Sequence, residues 1–134
     1  MGYAFDGTTR EDVYFSFPLI LYGSGNISLV AKCYSRSGAT SGTFVFGSRI
    51  ACITAGDATS MEAKAWATAQ QSSNTTINST AKGATSCSVT ISNLDSATAL
   101  DEVWLNFYRL PADAGDTITS DIIVTNLYIS YSDT

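Results

Sequence analysis

The chain has 134 residues, a net charge of −5 and no histidine, and only 14% of its residues are charged. That length fits one domain. The missing histidine excludes Ser-His-Asp and Cys-His catalysis, His/Cys zinc sites and a histidine pH switch, and the acidic balance argues against a nucleic-acid partner.

Residues 1–12 read as a short polar arm, and 13–134 as the domain. The arm lacks the charged-then-apolar layout of a signal peptide. It also looks too polar to fold alone, so a neighbouring chain is expected to hold it. No later run approaches the roughly 20 apolar residues that span a bilayer, so no membrane partner is expected.

The aromatic and β-branched run Val13–Phe17 predicts a strand that Pro18 ends, because proline cannot donate to a ladder. Gly23–Asn26 predicts a turn, and Ile27–Tyr34 a strand with Ile27, Leu29, Ala31 and Cys33 on one face. A Ser/Gly loop over 37–42 leads to a third strand over 43–53, with Gly47 marking a bulge or a close backbone approach. Ser60–Ala67 has the composition of two helical turns, and 70–80 is an edge strand or a long loop. Ser86–Ile91, Glu102–Arg109 and Ile122–Tyr131 are the firmest strands. In the last of these Leu127, Ile129 and Tyr131 share a face. Regularly spaced short strands between Gly, Ser and Asp turns predict an all-β fold. The expected form is an antiparallel jelly-roll-type β-sandwich of about eight strands.

The chemistry available to such a chain is sparse. Cys33, Cys52 and Cys87 are odd in number and widely spaced, so they read as reduced, partly buried apolar residues. The glycosylation-type triplets at Asn26, Asn74 and Asn78 read as chance matches in a chain with 35 Ser and Thr. Glu11-Asp12 and Asp101-Glu102 are the paired carboxylates, but neighbours on a strand point to opposite faces, so no catalytic residue and no enzyme is expected. In Arg109–Thr117, Pro111 fixes the start of a loop that Arg109 can hold by a bidentate pair with Asp113 or Asp116. The competing reading, calcium bound by Asp113, Asp116 and Asp121, lacks the glycine and terminal glutamate of a calcium loop, so neither metal nor cofactor is expected. Tyr14, Trp66, Trp104 and Tyr128 could form a sugar platform or a subunit interface, and Tyr3 and Phe5 are further interface candidates.

The order of these features resembles a group of small structural proteins of tailed bacteriophages. The resemblance rests on the aromatic strand Asp12–Pro18, the Ala39-Thr40-Ser41-Gly42 loop with the following Thr43–Gly47 strand, the Arg109–Thr117 turn and the final strand of 121–131. It spans roughly residues 12–131, and its most specific part is the turn. Phe46 stands where the group usually has tryptophan, and the middle segment diverges. The resemblance implies a jelly-roll module of head-decoration, head-fibre or tail-fibre type, usually trimeric. The expectation is therefore a capsid decoration (cement) protein that binds the major capsid protein on the outer head surface as a homotrimer. Such a protein is assembled in the host cytoplasm and located in the virion. The alternative is a tail-fibre, receptor-binding or carbohydrate-binding module, with a glycan as partner.

Overall fold

Alternation along the chain is realised as strands with one buried and one solvated face. The computed structural model describes residues 2–134 and contains β1 (Tyr3–Phe5), β2 (Asp12–Pro18), β3 (Ser24–Ser35), β4 (Thr43–Phe44) and β5 (Phe46–Ile53). These are followed by β6 (Gln70–Gln71), β7 (Thr75–Thr76), β8 (Thr85–Ile91), β9 (Glu102–Arg109) and β10 (Ile122–Ser132). Sheet I has the order β1-β10-β3-β8, sheet II the order β2-β9-β5-β6, and β4 pairs with β7. Every pairing is antiparallel, and the sheets pack face to face over a single apolar core. The protein is an all-β sandwich.

β8 shows the logic most plainly: Thr85, Cys87, Val89 and Ile91 are buried, while Ser86, Ser88 and Thr90 are exposed. Its partner β3 buries Ile27, Leu29, Ala31 and Cys33 in the same way. β10 keeps an apolar inward face by changing phase. Ile122 and Val124 pair with Ser35 and Cys33, the ladder then skips Thr125, and Asn126 pairs with Lys32. A bulge of one residue moves the inward set to Leu127, Ile129 and Tyr131. The Thr125 hydroxyl donates to the Lys32 carbonyl at 3.1 Å, which uses the acceptor that the bulge frees.

Four expectations change. Residues 2–12 are not an arm held by a neighbouring chain. Tyr3–Phe5 pairs with Val124–Ile122 of this chain, and Phe5 is 1% exposed, meeting the rings of Phe46 and Phe107 at 5.4 Å. One phenylalanine with a free sheet edge to join is enough to anchor a polar segment, and the domain starts at β1 rather than at residue 13. The strand expected over 43–53 divides at Val45, because Thr43–Phe44 turns away to pair with Thr75–Thr76. The helical stretch over 60–67 shrinks to a 3-10 turn at Met61–Ala63 with no buried residue. A helix that short has no apolar face to dock. Finally, Ser24–Asn26 continues β3, with Gly25 at φ +80 taking the left-handed conformation this requires.

The central strands β5 and β9 of sheet II bury both faces along most of their length. Ser48, Ile50 and Cys52 point inward with Phe107, Leu105 and Val103. On the outer face Asn106 is fully buried and Tyr108 nearly so, because side chains from elsewhere lie over them. Gly47 is a close approach rather than a bulge: a Cβ there would lie 2.3 Å from Cε2 of the Tyr108 ring.

Candidate functional site

The Arg109–Thr117 turn is a structural clamp. Arg109 ends β9 with no exposed surface. Its Nε and Nη2 donate to the two carboxylate oxygens of Asp116 at 2.9 and 2.7 Å, and the Asp116 side chain is 1% exposed. Nη1 donates to the Ser120 and Phe5 carbonyls at 2.7 and 3.4 Å, and Nη2 also reaches the Ile118 carbonyl. The guanidinium thus ties the end of sheet II to β1 through Phe5 and to the 118–120 segment that leads into β10. Asp113 is not its partner. It accepts from the Gly115 N–H at 2.8 Å and from Gln71 at 3.3 Å, while Pro111 lies half-buried at the start of the turn. Asp121 pairs with Arg36 at 2.9 Å, so the three aspartates of the calcium reading each serve a different protein donor.

The paired carboxylates do not converge either. Asp12 lies opposite Tyr108 and Glu102 opposite Pro18. That is six residues along β2, about 20 Å, well beyond the spacing that paired acid–base chemistry uses. Asp101 is buried and accepts from the Thr98 N–H and hydroxyl at 2.8 and 3.1 Å, and Glu11 accepts from the Asp6 N–H at 2.9 Å. The three thiols are free and buried, and burial pushes those of Cys33 and Cys52 up to about 12.

Two clefts flank the edge strand β2, one on each of its faces. On the inner side, Val13, Phe15 and Phe17 face Leu127 and Ile129 of β10 across a seam that the sheets do not close. The seam holds cavities of about 400 Å³, with Tyr3 at the rim and Phe107 within, and about 220 Å³, with Leu105 and Leu29 within. Phe15 is 45% exposed there and Tyr3 49%.

On the outer side lies a slot of about 300 Å³ lined by Tyr14, Phe15, Ser16, Trp66 and Trp104. Register explains the meeting of residues so far apart in sequence. Tyr14, Asn106 and Arg49 form one outward row across sheet II, and Ser16, Trp104 and Ala51 the next. Trp66 arrives from outside the sheet. The Lys64–Ala67 segment runs along the edge of β5 just before β6, held by the Ala67 N–H donating to the Ile50 carbonyl at 2.8 Å and by a Lys64–Asp95 ion pair at 2.9 Å, and its Trp66 side chain reaches over the outer face. Trp66 then lies 6.0 Å from the Tyr14 ring and 5.0 Å from the Arg49 guanidinium, a cation–π contact.

A polar chain fixes these walls. Arg49 Nε donates to Asn106 Oδ1 at 3.1 Å, and Asn106 Nδ2 donates to Asp12 Oδ1 at 3.0 Å. Asp12 is paired bidentately with Arg10 at 3.0 and 2.6 Å, and the Arg10 guanidinium stacks 3.6 Å from the centre of the Tyr108 ring. The hydrogen bond from Arg10, with that from Asn106, holds the Asp12 carboxyl below the usual carboxylate range, and burial raises the Tyr108 hydroxyl. At the other wall the Trp104 indole N–H donates to Glu102 at 2.8 Å.

Three of the four aromatics proposed as a platform, Tyr14, Trp66 and Trp104, therefore meet in one slot. Tyr128 does not join them, because it lies opposite Val30 on the outer face of sheet I. Tyr3 belongs to the seam and Phe5 to the core. The positioning residues Arg49 and Asn106 carry no motif. Their signal is only that polar residues interrupt two strands at positions that register brings side by side. Comparison with protein-family models, with curated proteins and with solved structures finds no match to this chain.

Proposed function

We propose that the chain is a bacteriophage virion structural protein, a capsid decoration protein that binds the major capsid protein on the outer head surface as a homotrimer and stabilises it. The observation that carries this reading is the unclosed seam. Val13, Phe15, Phe17, Leu127 and Ile129 form a contiguous apolar surface that one chain leaves partly in water, and contiguous patches of this kind mark protein–protein contacts. A second surface of the same character lies near the Pro18 end of β2. Ile20, Leu21 and Leu100 are 55, 71 and 78% exposed, and both leucines adopt the left-handed backbone at φ 60 and 72. Such backbone strain costs of order 1–3 kcal/mol and clusters at functional sites. The strand order supports the jelly-roll reading. Counting the eight strands of the two sheets along the chain, it runs 1-8-3-6 over 2-7-4-5, the interleaving of two Greek keys.

Light scattering of the purified protein should give three times the chain mass of 14.2 kDa. Electron microscopy of particles with and without the protein should place it on the outer head surface. A monomer at every concentration that also fails to bind heads overturns the reading. Density at the tail tip alone moves the protein to the tail-fibre, receptor-binding class.

A further inference from the structure

We propose that the slot between Trp66 and Trp104 is a carbohydrate-binding site that holds a pyranose ring of a polysaccharide against its aromatic walls. This inference does not rest on the decoration reading, since its walls Trp66 and Trp104 stand on the outer face of sheet II, while Tyr14, Phe15 and Ser16 of the edge strand border both the slot and the seam. Tyr14 and Trp104 stand in rows two residues apart, about 7 Å along the strands. A ring in van der Waals contact with a wall on each side takes about that space. The faces of aromatic rings are negative, so they attract the slightly positive C–H faces of a sugar, whereas its hydroxyls need polar partners at the rim. The slot offers the Ser16 hydroxyl within it, and beside it the second carboxylate oxygen of Glu102 and the terminal nitrogens of Arg49. Apolar walls with a few placed polar groups are the usual make-up of a small-ligand site.

Two features separate this slot from a chance group of aromatics. Its walls are held before any ligand arrives: Trp104 by Glu102, and Trp66 by Arg49 through Asn106, Asp12 and Arg10. Preorganised walls of this kind lose little freedom on binding. The charge of the chain then selects among flat ligands. Bases of single-stranded nucleic acid also stack on aromatics, but they bring a phosphate backbone that a chain of net charge −5 repels. A neutral or weakly charged sugar brings no such cost.

The chain has two tryptophans and both line the slot, so its intrinsic fluorescence reports this site directly. The test titrates the intact protein with dextran, chitin oligosaccharides and extracted bacterial surface polysaccharide, with an oligothymidylate as the competing class. At least one carbohydrate should give a saturable change in emission. Trp104→Ala and Trp66→Ala should weaken binding by about tenfold or more, as loss of a stacking wall does. Should either of those fail to fold, Ser16→Arg fills the slot from an exposed position on the edge strand and should also abolish binding. Tyr128→Ala, on the other sheet, should bind as the parent does. No response to any carbohydrate overturns the proposal. So does binding that survives Ser16→Arg, a response to the oligonucleotide alone, or an emission change that follows protein concentration and marks a second copy in the slot.

Discussion

The two long edges of the sandwich are held in opposite ways. At the β6–β8 edge the sheets are laced by small polar contacts. The Gln70 side chain donates to the Ser92 hydroxyl and accepts from the Ser92 and Asn93 N–H groups, Cys52 N–H donates to Asp95 at 2.8 Å, and Asn78 N–H donates to the Thr85 hydroxyl at 3.0 Å. At the β2–β10 edge apolar side chains face each other across open cavities, and the polar fastening lies at the two ends of the seam, the Arg109 cluster at one and the Tyr131 hydroxyl donating to the Ile20 carbonyl at 2.7 Å at the other. A closed edge satisfies its backbone with many weak bonds, each worth about 1 kcal/mol. An open edge leaves apolar surface for something else to cover. The comparison predicts that mutations at the first edge act on the stability of the chain, whereas those at the second also act on its associations.

The largest effect should come from the clamp. Arg109→Met leaves the Asp116 carboxylate buried with no counter-charge, which costs about 3–5 kcal/mol. Urea unfolding should show it as a lowered midpoint with little change in slope. Adding Asp116→Leu should recover much of the loss, since removing both charges also removes the unpaired one. A lowered midpoint unchanged by the second substitution would show that the carbonyl contacts of Arg109, and not the ion pair, hold that end of the edge. Next, Gly47→Ala on the closed half forces a methyl group into the Tyr108 ring, which Arg10 covers from the other side. Overpacking of that kind costs about 1–3 kcal/mol, and thermal unfolding checks it. The same substitution at Gly25, with nothing within 4 Å of the added carbon, meets only the backbone strain of its positive φ.

The contrast between the edges also decides what could be read in advance. Strands with one solvated face, such as β8, are plain in the sequence because polar and apolar residues alternate. The division at Val45 is not, because Phe44, Val45 and Phe46 are all buried and nothing in an unbroken apolar run marks where it turns. β1 escapes notice because one phenylalanine in a polar segment looks like a tail until a free sheet edge is there to receive it. The Arg109 clamp is legible in kind, since a lone arginine ending an apolar strand needs an acid, but the choice of Asp116 over Asp113 depends on the path of the turn. The slot is legible only as a set of aromatics. Its assembly depends on strand register and on the Lys64–Ala67 segment, which has no periodicity to announce that it runs along a sheet edge and lays Trp66 over the face.

The two edges are best separated by a pair of substitutions whose effects on stability and on assembly run in opposite order. Gln70→Ala removes three hydrogen bonds from a half-buried position, each worth about 1 kcal/mol net, so the loss is about 3 kcal/mol. Phe15→Thr keeps a residue that favours strands and removes a ring that is already 45% exposed, so the area it takes from the core is worth about 1 kcal/mol. Measured on dilute protein, Gln70→Ala should therefore lower the midpoint more than Phe15→Thr does. Measured by sedimentation at high concentration, the order should reverse. Gln70→Ala should leave the assembled mass unchanged, because no apolar surface changes at the closed edge, while Phe15→Thr should move the protein toward monomer. If instead both variants keep the parental mass, the open seam is not the association surface. The exposed leucines at positions 21 and 100, strained and apolar, then become the next surface to change.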